Sequence, residues 1–199
     1  MSLTRRILGT FLVLAGAVGP GLVLAAGPQD LSTFMGSAPP CLPDAKPTPS
    51  VPADNTFKAG APLRTDLAAP GTPGTRLWLS GTVSGTKCGR IAGAEVDLWQ
   101  AGVTGAYDMV GFALRGHQLT AMDGTYGFRT IVPGASAGRA KHLNLRVRVK
   151  GHPAFFTEIY FPNDPANTRD RRFKKELLLQ PKQALGAEQV AVFDVLLEM

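Results

Sequence analysis

Beyond about residue 75 the chain alternates apolar and polar positions with a period of two, the signature of strands with one face buried. Leu77, Leu79, Gly81 and Val83 alternate with Trp78, Ser80 and Thr82. A turn over 85–89 follows, and then Ala94, Val96 and Leu98 alternate with Glu95, Asp97 and Trp99, which predicts two antiparallel strands. Residues 111–119 read as a further extended stretch, Asp123-Gly124 as a turn, and Tyr126 to Val132, closed by Pro133-Gly134, as a strand and its turn. The clearest alternation runs from His142 to Lys150. There Leu143, Leu145, Val147 and Val149 point one way and His142, Asn144, Arg146, Arg148 and Lys150 the other, predicting one core face and one polar face. Phe155 to Phe161 is a hydrophobic strand ended by Pro162-Asn163-Asp164-Pro165, and Val190 to Leu197 is the last predicted strand. Short strands at turn-marked intervals, with no internal repeat, predict an all-β fold: an antiparallel β-sandwich over residues 75–199.

The first 74 residues follow other rules. Arg5 and Arg6 precede an apolar run from Ile7 to Ala26 that is interrupted by Gly16, Gly19, Pro20 and Gly21 and ends in small residues. That grammar predicts a signal peptide over residues 1–26, hence a periplasmic or secreted protein without a stable membrane anchor; a membrane-spanning anchor is the competing reading. Thr4-Arg5-Arg6-Ile7-Leu8 also resembles a twin-arginine leader. Residues 27–74 are rich in Ala, Pro, Gly, Thr and Ser, too poor in large side chains to build a core, and are expected to lie extended over the sandwich, with Arg64-Thr65-Asp66-Leu67 packing beside the first strand.

Composition agrees with a folded, loop-rich body: 44% of the 199 residues are hydrophobic and 18% charged, with 23 Gly and 16 Pro. The net charge is +6, of which the leader's arginines supply two. Arg169, Arg171, Arg172, Lys174 and Lys175 form a basic cluster, read as a solvated loop, and no nucleic-acid-binding module is present. Cys41 and Cys88 both lie beyond the leader, and in an oxidising compartment they are expected to form a disulfide tethering the arm to the sandwich. Two unpaired cysteines is the alternative, because spacing does not give the Cα separation a bridge requires.

Three groups carry candidate chemistry: Tyr107 after the turn Thr104-Gly105-Ala106, the cluster Arg139, His142 and Asn144, and Glu158 among Phe156, Ile159 and Tyr160. Singly, each has an ordinary structural explanation. Together they weigh more, because His142 and Asn144, two apart on one strand, face the same side and can converge on one small ligand. His117 and His152 are less informative.

The series Ile91-Ala92-Gly93-Ala94-Glu95-Val96-Asp97-Leu98-Trp99-Gln100, Leu114-Arg115-Gly116-His117, Asp123-Gly124-Thr125-Tyr126-Gly127-Phe128, Val132-Pro133-Gly134, Gly138-Arg139-Ala140-Lys141-His142-Leu143-Asn144 and Thr157-Glu158-Ile159-Tyr160-Phe161-Pro162 resembles the intradiol ring-cleavage dioxygenases in order and spacing. The secreted branch of that family also tends to carry two cysteines placed like Cys41 and Cys88. The resemblance implies the family's β-sandwich and its activity, Fe(III)-dependent cleavage of catechol-type rings between the two hydroxyls to muconate-type diacids. It implies a small aromatic substrate, and, as family members often pair, a homodimer.

Family members hold ferric iron with two tyrosinates and two imidazoles, hard oxygen and borderline nitrogen donors. By resemblance, Tyr107 and His142 fall on two of these ligands and Arg139 on the arginine that steadies charge developing on the substrate. At the other two positions this chain has Ser136 in place of Tyr and Asn144 in place of His. Glu158 replaces a usual Gln, adding a carboxylate that is either a substitute ligand or a surface charge. A neutral hydroxyl and an amide are weak donors, so ferric affinity is expected to fall by orders of magnitude. Three readings follow: a dioxygenase using Fe(III) at Tyr107 and His142; a sandwich that has lost its metal and binds an aromatic or other small ligand; and a site for another divalent ion at Tyr107, His142 and Glu158.

Overall fold

A computed structural model describes residues 45–199 apart from Cys88. The leader and the proposed Cys41–Cys88 bridge lie outside the described residues. Nine strands and two short 3-10 turns, at Asn167–Arg169 and Lys175–Leu177, make up the regular structure among them. The strands form two facing sheets. One contains β4 (Thr125–Ile131), β1 (Arg76–Gly85), β8 (Glu188–Val192) and β7 (Gln180–Leu185) in that order, with β9 (Val195–Leu197) also paired to β1. The other is ordered β3 (Arg115–Leu119), β2 (Glu95–Gln100), β5 (His142–Arg148) and β6 (Phe155–Tyr160).

The all-β sandwich is as expected, but the pairing differs in three places. β1 and β2 lie in opposite sheets, so the turn between them crosses the sandwich instead of closing a hairpin. β1 pairs antiparallel with β4 but parallel with β8 and β9, making the first sheet mixed. The predicted strand over Val190–Leu197 is broken in two. At the break Phe193 N–H donates to Ser80 O at 2.9 Å and the Asp194 carboxylate accepts from Thr82 N–H at 2.9 Å. The approach is close enough that a Cβ on Gly81 would stand 1.8 Å from Phe193 O, so only glycine fits there. β7, an almost wholly exposed strand containing Pro181, carries no apolar alternation and gave no signal; proline suits it to the sheet edge.

Leu143, Leu145 and Val147 of β5 point inward to join Leu77, Leu79, Val96, Leu98, Phe128 and Ile159 in one core. Each such side chain contributes about 1.5–3 kcal/mol by leaving water. The opposite face of β5 grades along the strand: His142 and Asn144 are buried, Arg146 half-buried and Arg148 exposed. Its first turn of residues is polar but not solvated, because other segments cover it.

One cover is the arm. The chain ahead of β1 runs against both sheets: Arg64 N–H donates to His117 O on β3, and Leu67 N–H to Arg129 O on β4. It partners the free edges of β3 and β4, satisfying backbone groups that an open edge would leave unpaired, and meets β1 at its first residue, where Arg76 pairs with Asp66 and donates to Ala68 O.

Candidate functional site

The outer face of the second sheet reads as rows across its strands. Arg115, Trp99, Asn144 and Glu158 are register partners in one row, His117, Asp97, Arg146 and Phe156 in the next, and His142 faces Tyr160 beyond them. The fold therefore brings His142, Asn144 and Glu158 to one end of this face. Tyr107 arrives from the loop after β2. Gly105, at φ 83°, lets that loop turn so closely under the Pro133-Gly134 segment that a Cβ would stand 1.9 Å from Ala135 O and 3.4 Å from Ser136 Cα. Ser136 is thus packed along the Tyr107 turn, half-buried, its carbonyl accepting from Arg139 N–H at 2.8 Å.

The phenol oxygen of Tyr107 lies 3.2 Å from His142 Nε2. His142 Nδ1 is 2.8 Å from Ala140 O. A carbonyl only accepts, so Nδ1 carries the proton and Nε2 of the neutral ring offers its lone pair to the site. Burial, followed by the charge of Arg139, holds His142 below its ordinary pKa and keeps it neutral, against the Ala140 bond. Asn144 Nδ2 donates to Tyr107 Oη at 2.9 Å and to Trp99 O at 3.2 Å. The Trp99 carbonyl fixes which end of the amide faces the phenol: it is the N–H end. Burial raises the Tyr107 phenol and the Asn144 bond opposes the rise.

Arg139 connects this group to an acidic one. Its Nη1 is 3.3 Å from His142 Nε2, and its fork grips Glu158 at 2.8 and 2.5 Å. It also donates to Tyr160 Oη at 2.7 Å and to Asp170 at 3.2 Å, while Tyr160 donates to Glu158 at 2.5 Å. Arg172 Nη1 adds a bond to Glu158 at 3.0 Å. Burial by itself raises the Glu158 carboxyl, but the bonds from Arg139 and Tyr160 outweigh it and hold the pKa down to about 2. Glu158 is therefore a buried counter-ion whose oxygens are already taken.

A strap over residues 52–58 of the arm walls the site. Trp99 Nε1 donates to Thr56 Oγ1 at 3.0 Å, and Phe57 stacks edge-on with Trp99 and Phe156 at 5.2 and 5.4 Å. Sequence reasoning missed the strap, Tyr160, Asp170, Arg172 and Arg115. Asp170 and Arg172 sit inside the cluster read as a solvated loop. Arg169, Arg171, Lys174 and Lys175 are indeed exposed there, but Arg172 turns inward. An acid embedded in a basic run was the available signal.

Whether these residues fit a metal depends on their donors. With bonds of about 2 Å, two neighbouring ligands on one ion stand roughly 3 Å apart, which the Tyr107–His142 spacing matches. The remaining positions do not complete a ferric centre. Asn144 presents a donor, Ser136 a neutral hydroxyl, and Glu158 is bound to two arginines and a tyrosine. The donor set does not fit iron held by two tyrosinates and two imidazoles.

The family model described as Dioxygenase matches residues 53–197. A chlorocatechol 1,2-dioxygenase of Rhodococcus opacus is 29% identical over 62% of this chain and 60% of its own length. A hydroxyquinol 1,2-dioxygenase of Rhizobium sp. (strain MTP-10005) is 31% identical over 59% of this chain and 48% of its own. The chain thus spans about half to three-fifths of these relatives. Among solved structures, the dioxygenase domain of a dioxygenase carbohydrate-binding protein fusion from Streptomyces sp. SirexAA-E superposes with a TM-score of 0.74 at 42% identity, covering 77% of this chain and 99% of that one. An intradiol ring-cleavage dioxygenase from Tetranychus urticae shares the fold at 22% identity, with a TM-score of 0.71 and 77% and 95% coverage. By sequence match, architecture and the order of its motifs, the chain belongs to the intradiol ring-cleavage dioxygenase family.

Proposed function

We propose that this protein binds a catechol-type aromatic ligand at Tyr107, His142 and Arg139 without building the four-ligand ferric centre of its family. The observation that carries this reading is the Asn144 amide, pinned by Trp99 O so that its N–H is directed at the Tyr107 phenol. A position that would have to offer a lone pair to a metal instead offers a proton. The Nε2 lone pair of the neutral His142 accepts from the Tyr107 hydroxyl, a bond that a ligand hydroxyl can replace. Arg139 stands beside it to favour negative charge on the ligand oxygen. That the relatives carry the names of chlorocatechol and hydroxyquinol dioxygenases supports the ligand class. The leader grammar supports a site of action outside the cytoplasm; a mature N-terminus near residue 27 tests that part.

The second reading is catalytic, with ferric iron at Tyr107 and His142 and ring cleavage retained. The 3.2 Å between their donor atoms and the 42% identity to a dioxygenase domain favour it. One experiment separates the two. Protein purified from its export compartment is assayed for metal, loaded with ferric ion, and mixed with catechol while ligand binding is followed by calorimetry and ring opening by absorbance. Binding without stoichiometric iron, charge-transfer colour or diacid is the expected result. One iron per chain together with diacid formation would establish the enzyme instead.

A further inference from the structure

Arg115, the first residue of β3, is 1% exposed and among the largest fully buried side chains. Buried arginines are ordinarily matched by a carboxylate, because an isolated guanidinium is expensive to remove from water. None of the ion pairs among the described residues involves Arg115. The nearest acids are committed elsewhere. Asp108 accepts from the backbone N–H groups of Val110, Gly111 and Ala113, and Asp54 accepts from Thr56. The guanidinium is satisfied by two backbone carbonyls. Nε and Nη2 donate to Asp108 O at 3.1 and 3.0 Å, and Nη1 donates to Thr56 O at 2.6 Å.

Those carbonyls belong to the two walls of the site. Asp108 follows Tyr107 directly, and Thr56 is the strap residue whose hydroxyl caps Trp99. The guanidinium carbon lies 5.9 Å from the centre of the Tyr107 ring. One planar fork therefore joins segments that nothing in the chain order brings together, and it does so beneath the phenol. Lys58, which donates to the carbonyls of Val110 and Gly111, is a second tie between the same segments, but its bond to Val110 O is exposed, where solvent competes, and its bond to Gly111 O only part-buried.

We infer that Arg115 is a positioning residue: its fork fixes the strap and the Tyr107 turn relative to one another and thereby sets where the phenol meets a ligand. This rests on the proposed binding role only for its consequence on affinity; the mechanical claim stands on the geometry alone. Lysine keeps the charge but provides a point donor in place of a fork, so Arg115→Lys isolates the geometric role.

The test is hydrogen exchange with peptide resolution on the unliganded full chain, paired with nitrocatechol binding. In Arg115→Lys, exchange should quicken severalfold in residues 52–58 and 108–113 together, while peptides from β2 and β5 are unchanged. Nitrocatechol should bind about tenfold more weakly, and the loss should vanish when the same substitution is made in Tyr107→Phe, because the effect passes through the phenol. Uniform acceleration across the chain, or none in the two segments, overturns the inference. So does a binding loss that persists without the phenol. If wild-type protein does not bind nitrocatechol, the proposed function fails while the exchange pattern still decides the clamp. Should Arg115→Lys not fold, Asp108→Ala loosens the turn from its exposed side. Faster exchange in 52–58, absent in the Lys58→Ala control, then supports transmission through Arg115, and an undisturbed strap refutes it.

Discussion

Glu158 and Asp97 sit on the same face of the same sheet, both buried and both bonded to arginine, yet their carboxyls shift in opposite directions. Glu158 receives Arg139, Arg172 and Tyr160, and these bonds overcome burial to hold its pKa to about 2. Asp97 shares Arg146 with Glu95, at 2.7 and 2.6 Å, so burial prevails, helped by the neighbouring acid, and its pKa rises. Both ends carry two acids and two arginines, and they differ in how the donors are shared: three side chains converge on Glu158, whereas Asp97 has Arg146 alone and divides it with Glu95. Beside Tyr107 and His142 the neighbouring groups are the Asn144 N–H and the Arg139 guanidinium, which suit an acceptor-bearing ligand better than a bare cation. Membership of a family does not by itself supply the donors a metal needs, and at Asn144, where the resemblance implies a histidine ligand, an N–H is directed at the phenol.

The strongest way to break this contrast is to supply those donors. Ser136→Tyr combined with Asn144→His replaces a neutral hydroxyl and an amide donor with the two ligand types that the family resemblance implies. Ferric loading should rise from substoichiometric to one iron per chain, with a visible tyrosinate charge-transfer band. Adding Tyr107→Phe or His142→Ala to that double variant should abolish both signals; unchanged metal content would place the iron elsewhere.

A smaller effect is expected from neutralising the two acids in turn. Glu158→Gln leaves Arg172 without a carboxylate and Arg139 with Asp170 alone, and should cost about 3 kcal/mol in denaturant unfolding. Asp97→Asn leaves Arg146 paired with Glu95 and should cost less than about 1 kcal/mol. Their pH signatures oppose one another. The folded pKa of Glu158 lies below its ordinary value of 4.5, so its contribution is present above pH 4.5 and is lost as pH falls toward about 2. Asp97, raised above 3.8, contributes below that value and loses the contribution as pH climbs through its folded pKa. Glu158→Gln should therefore flatten the acid limb of the stability curve, and equal limbs in wild type and variant would show that the arginines do not depend on this carboxylate.

The parts of this arrangement legible in the sequence are those encoded by local period. Alternation along β5 placed Leu143 and Leu145 inside and put His142 and Asn144 on one face, and motif order brought Tyr107 into view as their partner. Alternation says nothing about what lies above a face, so Asn144 reads only as polar although it is buried and bonded to Tyr107. Nor does it report sheet membership, and β1 and β2 read as one pair although they belong to opposite sheets. Arg115 and Thr56 are 59 residues apart and meet through a backbone carbonyl, an acceptor every residue has, so no residue type marked the contact in advance.

The gentlest test of the contrast uses the side chain that touches both ends. Phe57 packs against Trp99 on the site side, and the Arg146 guanidinium lies 5.1 Å from its ring on the other. It is half-buried, so Phe57→Ala should remove two edge-on aromatic contacts and the cation–π contact at a cost of about 1.5 kcal/mol. If the two ends are electrostatically separate, as the opposite shifts of Glu158 and Asp97 imply, the loss should leave the acid limb governed by Glu158 unchanged and lower only the plateau. A change in the shape of that limb would mean that the strap couples the two ends, and that the hold on Glu158 depends on the arm as well as on the sheet.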